Sequence, residues 1–356
     1  MNILVVVFAC FAVLGALDLI FGNRLKLGDE FEKGINIIGP AILSMLGMLC
    51  FTPIISKVLL PVITPVSSFL HLDPSLFPAM ILANDMGGAS LSVELANSPE
   101  MGYFNGLIVS AMLGVTISFT IPTALKVIEH EYHNDALLGI LCGVTTIPVG
   151  CFVAGLVQKI PIVALLVNLI PIIVFSGIIV LGLLKAPKIS VKILSVFGKL
   201  ILTLILIGLS AGLFEFMTGI TIIPGLMPVE EYFSTFFMIG FTLAGTFPCI
   251  SIISRILRKP LKNIAQKIGV NDTSVVGLLS SLASSMPAFG LAKNMNRKGR
   301  VLNLAFSVSG AFVFGGYLAF TIAINPEFLP GMIVGKLVAG ISSLFVANYI
   351  YNKVTK

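Results

Sequence analysis

Asp85 is the acid placed most deeply in an apolar part of the chain. An isolated carboxylate near the centre of a bilayer costs about 2.5–3.5 kcal/mol on insertion scales, so it needs a partner or a task. It lies in the stretch Leu82-Ala83-Asn84-Asp85-Met86-Gly87-Gly88. Asn84 supplies a donor and an acceptor, while Gly87 and Gly88 let main chain approach a ligand closely. About 200 positions later the chain reads Leu282-Ala283-Ser284-Ser285-Met286-Pro287-Ala288, followed by Phe289 and Asn294. Ser284, Ser285 and Asn294 add neutral hydrogen-bonding groups, and Phe289 could offer a ring face to an ammonium group. Together these suit a small molecule with one positive end and one hydroxyl end. Other tasks stay open for the same residues. Asp85 could cap the N-terminus of a half-helix, coordinate a coupling sodium ion or carry a proton, Phe289 could simply pack, and the two serines could bond to their own helix backbone.

Other chemistries find little support. Cys10, Cys50, Cys142, Cys151 and Cys249 have no paired spacing and fall in apolar runs, so they read as core residues rather than a zinc or disulfide framework. His130, Glu131 and His133 miss by one residue the spacing that puts two imidazoles on one helix face, so they read as a solvated loop. With no phosphate-cradling glycine loop and no nucleophile and base set, neither an enzyme nor a bound cofactor is expected.

The elements that position these residues are membrane spans. The 356 residues are 57% hydrophobic and 11% charged, with a mean hydropathy of +1.06. Apolar runs near 2–22, 35–56, 102–125, 136–158, 161–184, 198–217, 233–254, 301–324 and 331–350 are each long enough to cross a hydrocarbon core about 30 Å thick. The fold class is therefore an all-α integral membrane protein with about nine transmembrane helices. The apolar start lacks a basic n-region and runs on into Asp18 and Arg24, so it reads as the first span and not a cleaved signal. Asp18 is expected to pair with a basic loop residue or to reach the interface.

The chain also contains itself twice. Pro53-Ile54-Ile55-Ser56-Lys57-Val58-Leu59 matches Ser251-Ile252-Ile253-Ser254-Arg255-Ile256-Leu257, and Asp73-Pro74-Ser75 matches Asp272-Thr273-Ser274. Repeat 1 covers 1–160 and repeat 2 covers 191–356, joined by a connecting span and loop at 161–190. The stretches near 74–97 and 273–296 carry too many polar and helix-breaking residues to face lipid, and we read both as re-entrant hairpins.

Charge orients the chain. Arg255, Arg258, Lys259, Lys262 and Lys267 precede the second hairpin and Lys293, Arg297, Lys298 and Arg300 follow it, so both its flanks qualify as cytoplasmic. Threading the spans from that anchor puts the N-terminus outside and the C-terminus, with Lys353 and Lys356, inside. Of the 22 basic residues only Lys57, Lys159 and Lys336 then fall outside, with Lys336 snorkelling outward or pairing with an acid. The first hairpin enters from outside, and the odd number of spans between the hairpins inverts one repeat relative to the other. The net charge of +6 follows from this loop bias and from attraction to anionic membrane lipids, so no nucleic-acid partner is implied. GxxxG spacings at Gly139 and Gly143, Gly208 and Gly212, and Gly331 and Gly335 permit close helix contacts within one subunit or between copies in a homo-oligomer.

The hairpin Leu82 to Gly88 with Glu94-Leu95-Ala96, the stretch Val270 to Met295, Gly299-Arg300-Val301-Leu302-Asn303, Ala305-Phe306-Ser307-Val308-Ser309 and Met332-Ile333-Val334-Gly335-Lys336-Leu337 resemble the ethanolamine utilisation membrane protein family, EutH. The resemblance implies a bacterial inner-membrane permease that imports ethanolamine for breakdown by an ammonia-lyase. It also implies a substrate with the cation and hydroxyl ends described above. Two departures stand out: Gly315-Gly316-Tyr317 occupies the place of an expected Gly-Asp-His, and Ser284-Ser285 the place of two asparagines. They leave Asp85 as the only hairpin acid at depth. The expected mechanism is alternating access around a midplane site between the hairpins, with a channel-like facilitator of neutral amine or an ion-coupled transporter of another small organic cation as alternatives.

Overall fold

A computed structural model describes residues 3–354. Met1 and Asn2 of the first expected span, and the Lys356 assigned to the cytoplasmic end, lie outside the described residues. Every regular element among the described residues is helical. Among the described residues eight helices are long and apolar enough to span a membrane: α1 (Ile3–Ile20), α2 (Gly28–Leu70), α5 (Pro99–Val127), α6 (His130–Val157), α7 (Ile162–Lys185), α8 (Pro187–Thr218), α9 (Val229–Lys267) and α14 (Pro326–Val354). Between them lie two helix pairs, α3 (Leu76–Ile81) with α4 (Gly88–Leu95), and α10 (Asp272–Ser281) with α11 (Met286–Leu291). The remaining stretch is α12 (Arg297–Ser309) and α13 (Gly316–Ile324). The chain is an all-α, multi-pass integral membrane protein.

Local sequence explains where these elements begin. Ser98 accepts the N–H of Met101 at 3.3 Å with Pro99 next in line, which starts α5. Asn271 caps α10 through Ser274 at 3.3 Å, and Asn296 caps α12 through Gly299 at 3.0 Å. Asp18 neither pairs with a basic side chain nor sits free at an interface. Its carboxylate accepts the N–H groups of Leu25, Leu27 and Gly28 at 2.9, 2.8 and 3.3 Å, satisfying amides of the loop that leads into α2 and of its first residue.

The sequence between 301 and 324 departs from the expected single span. It is apolar enough to cross, yet residues 310–315 break it into α12 and α13. The freed amides are not left bare in the apolar interior: Phe312 donates to Ser281 O and Phe314 to Leu282 O, both at 2.9 Å, at the end of α10. The tip of the second hairpin therefore supplies the hydrogen bonds that the broken helix lost.

Both helix pairs close on themselves as hairpins. In the first, Asp73 accepts the N–H of Asn97 at 3.1 Å and the Ser92 hydroxyl donates to Ser75 O at 2.8 Å. In the second, Asn271 donates to Asn294 O at 2.9 Å and Asn296 to Gly269 O at 2.7 Å. Each hairpin is also clamped by an asparagine of the helix that follows it. Asn105 of α5 donates to Ser75 Oγ at 2.8 Å, and Asn303 of α12 donates to Ser274 O at 3.0 Å.

Long helix α5 is π-helical over Asn105–Gly114 and Thr116–Thr120, as is α2 over Ile42–Leu46. Thr116 and Ser118 bond back to Met112 O and Gly114 O at 2.6 and 2.8 Å, a pattern that competes with regular helix bonds. Gly114 lets this helix run against the main chain at Leu82, where any Cβ would strike the Leu82 carbonyl. The approach brings the first hairpin's tip against the π-helical turns.

Candidate functional site

Asp85 sits at the tip of the first hairpin, in the turn Asn84–Met86 between α3 and α4. Gly87, at φ +101°, makes the left-handed bend that reverses the chain there, and a Cβ on it would strike Met48. The Asp85 main-chain N–H is taken by Asn84 Oδ1 at 2.9 Å. Its carboxylate caps nothing: Oδ1 is buried and has no hydrogen-bond partner. Two cavities meet at this residue, one of about 780 Å³ and one of about 150 Å³. Burial of a polar atom without a partner is costly enough that an unpaired oxygen on a residue lining a cavity marks a candidate place for a donor.

The larger cavity is walled near Asp85 by Phe119, Phe312 and Tyr317. Phe312 makes an edge contact with Phe119 at 5.8 Å between ring centroids and a tilted contact with Tyr317 at 5.1 Å. Phe312 adopts a left-handed backbone (φ +60°) in the break between α12 and α13, a conformation a bulky residue rarely takes. That break turns its ring into the cavity wall. Two hydroxyls, Ser44 and Ser118, complete the polar lining near the carboxylate, and both belong to the π-helical turns of α2 and α5. Ser118 is already committed, accepting the Ala83 N–H at 3.0 Å. At the other end the cavity is edged by the exposed Lys126 and Lys199.

Lys336 lies close by, and not where the charge pattern put it. It is buried at 1% exposure within α14 instead of snorkelling to the outer surface. Its ammonium donates to Ala111 O of the π-helical stretch at 2.5 Å and stands 5.1 Å from the centroid of the Tyr317 ring.

The residues singled out from sequence are only partly gathered here. Asn84 is fully buried beside Asp85, its oxygen spent on the Asp85 amide and its Nδ2 unpartnered. Gly87 and Gly88 are packed against Met48 and against the Leu82 and Ala83 carbonyls, so they shape the turn. Ser284 lines a separate cavity of about 520 Å³ with Arg255 and Arg258. Ser285 is fully buried with an unpartnered hydroxyl, and Phe289 is core at 1% exposure, with no free ring face. Asn294 is exposed at the far end of the hairpin, where its carbonyl ties the two ends together.

Sequence reasoning missed the aromatic wall and the lysine. Phe119, Phe312 and Tyr317 come from two different helices and a helix break, and nothing in their spacing announces that they converge. Lys336 did carry a signal: a lone ammonium in the middle of an apolar run is a functional candidate by default. A carboxylate with an unpartnered oxygen, on a residue that lines a cavity together with three aromatic residues, can bind a small organic cation by charge, hydrogen bonding and cation–π attraction.

Comparison with known proteins agrees over the whole chain. Residues 1–350 match the family described as ethanolamine utilisation protein, EutH. The chain is similar to a probable ethanolamine permease EutH of Listeria monocytogenes, 40% identical over 355 residues that cover 100% of this chain and 95% of that protein. A probable ethanolamine permease EutH of Salmonella typhimurium is 35% identical over 358 residues, covering 94% of this chain and 88% of its own. An uncharacterized protein of Bacillus subtilis, YxeR, is 37% identical over 346 residues, covering 97% and 94%. No solved structure matches the chain.

Proposed function

Since this chain belongs to the EutH family, we propose that it is a membrane transporter that imports ethanolamine, a permease and not an enzyme, with Asp85 as the group that takes the substrate's ammonium. The observation that carries the proposal is Asp85, with a buried and unpartnered Oδ1, lining a cavity walled by Phe119, Phe312 and Tyr317. Ethanolamine is protonated at neutral pH, so its ammonium satisfies the carboxylate and presents its charge to the rings. Its hydroxyl end then reaches the side of Ser44, whose own hydrogen is given to Pro40 O at 3.0 Å and whose oxygen can still accept. A facilitator for the neutral amine would leave the buried carboxylate without a task.

Transport proceeds by alternating access, with Asp85 near the bilayer midplane and the two hairpins entering from opposite sides as parts of an inverted repeat. The repeat boundaries follow the sequence, at 1–160 and 191–356. By the positive-inside rule Lys126 and Lys199 face the cytoplasm of a bacterial inner membrane, which makes the large cavity an inward-facing vestibule. Sliding or rocking of one repeat against the other would close that end and open the opposite one.

The test is uptake of radiolabelled ethanolamine into proteoliposomes by the wild type and by Asp85→Asn. The amide keeps the shape and removes the charge, so the variant is expected to fold and to bind ethanolamine roughly ten- to a hundred-fold more weakly, the value of a hydrogen bond to a charged group. Undiminished uptake by folded Asp85→Asn would refute the assignment.

A further inference from the structure

A carrier that returns empty faces a problem that its loaded form does not. With the ammonium gone, Asp85 must pass through the occluded state as a desolvated carboxylate with no counter-charge, the most expensive form it can take. The structure contains a second, internal ammonium that could relieve this. Lys336 is already dry, so moving it to the carboxylate adds no further desolvation cost to the lysine. Its present partners are neutral, one carbonyl and one ring, and weaker for an ammonium than a carboxylate.

The two charges are neighbours without being paired. Lys336 joins none of the ion pairs among the described residues, yet Ala111, whose carbonyl holds it, packs in one cluster with Tyr317 and with Ala83, two residues before Asp85. Both border Tyr317, which sits under the ammonium and also lines the cavity that Asp85 faces. A lysine has a flexible four-carbon stem, so its head can travel while its backbone stays fixed. Here the backbone is fixed well: Gly335 packs so closely on α6 that a Cβ would strike Ala154 and the Gly150 carbonyl.

We propose that Lys336 is a tethered substitute for the substrate, parked on the Ala111 carbonyl while the site is open and moving onto Asp85 when the empty protein closes. The inference rests on the assignment of Asp85 as the substrate-binding carboxylate. It makes Lys336 a positioning residue for the return half of the cycle, dispensable for the loaded half.

Two assays on the same proteoliposomes separate those halves. Counterflow, with ethanolamine on both sides, uses only the loaded protein, whereas net uptake into vesicles free of ethanolamine needs the empty return. For Lys336→Gln the expectation is counterflow within about twofold of wild type and net uptake lower by about tenfold or more, set by the cost of an uncompensated buried charge. Lys336→Met, apolar in apolar surroundings, should behave alike, and Lys336→Arg should keep net uptake because it keeps the cation. Counterflow and net uptake falling together, or neither falling, would overturn the proposal. So would failure of both neutral variants to fold, since the ammonium would then be serving structure. If the wild type itself moves no ethanolamine in either assay, it is the transport function that fails and not this inference.

Discussion

Asn105 of α5 and Asn168 of α7 hold each other by a reciprocal amide pair, Asn168 donating at 2.8 Å and Asn105 at 3.3 Å, with both side chains buried. The pair ties the connecting span to the helix that clamps the first hairpin, because Asn105 also donates to Ser75 Oγ. Interhelical hydrogen bonds in membranes are worth about 0.6–1.7 kcal/mol each, so Asn168→Leu should cost about 1–3 kcal/mol of stability. Thermal denaturation of the purified protein in detergent measures it. Asn105→Leu should cost more, since it also releases Ser75.

Much of this arrangement is legible in the amino-acid sequence because membrane folding has few solutions. Apolar runs must be helices, and polar, glycine-broken runs must hide their backbone against protein, which is why the segments around Asp85 and Ser284 could be picked out as hairpins. Asp85 itself is legible because a lone acid at depth is conspicuous. What the sequence does not show is where a helix gives way. Residues 310–315 are as apolar as a span, and only the hydrogen bonds that Phe312 and Phe314 make to the second hairpin's tip pay for the break. Phe312 enters the site through that break, so a reader of spacing alone chooses Phe289, an aromatic on the hairpin, which the fold buries as core. Lys336 escapes the charge pattern for a related reason. Charge rules assume that an ammonium seeks water, and they do not anticipate a carbonyl and a ring face offered inside the bundle.

Phe119 offers a cleaner measure of the aromatic wall than Tyr317, which also contacts Lys336. It lines the cavity and braces Phe312 edge-on. Phe119→Leu keeps most of the volume and removes the ring quadrupole. A cation–π contact is worth about 0.5–2 kcal/mol, so ethanolamine binding by calorimetry should weaken by roughly 2- to 30-fold, while Phe119→Tyr should stay near wild type.

Asn294 serves as the matched negative. Its composition and position in the second hairpin suggested a ligand, but its side chain is exposed and only its main-chain carbonyl is engaged, by Asn271. Exposed substitutions of this kind stay within about 0.5 kcal/mol. Asn294→Ala should therefore leave uptake within about twofold of wild type, and a larger loss would mean that this end of the hairpin meets substrate in another stage of the cycle.

Orientation can be read by cysteine labelling in a Cys10→Ala background, since the other four cysteines are buried. Gln266 and Lys293 are exposed on either side of the second hairpin, whose ends are joined by the Asn271–Asn294 and Asn296–Gly269 hydrogen bonds. His71 and Asn97 hold the corresponding places around the first, whose ends are joined by the bond from Asn97 to Asp73. If both elements dip in and return, each pair must react from one side only, and if the repeats are inverted, the two pairs must react from opposite sides. The clustered lysines and arginines assign the second pair to the cytoplasm. A membrane-impermeant maleimide added to intact cells should thus label His71→Cys and Asn97→Cys directly, and reach Gln266→Cys and Lys293→Cys only after permeabilisation. Labelling of all four from one side would abolish the inversion, and a split within either pair would show that the segment crosses.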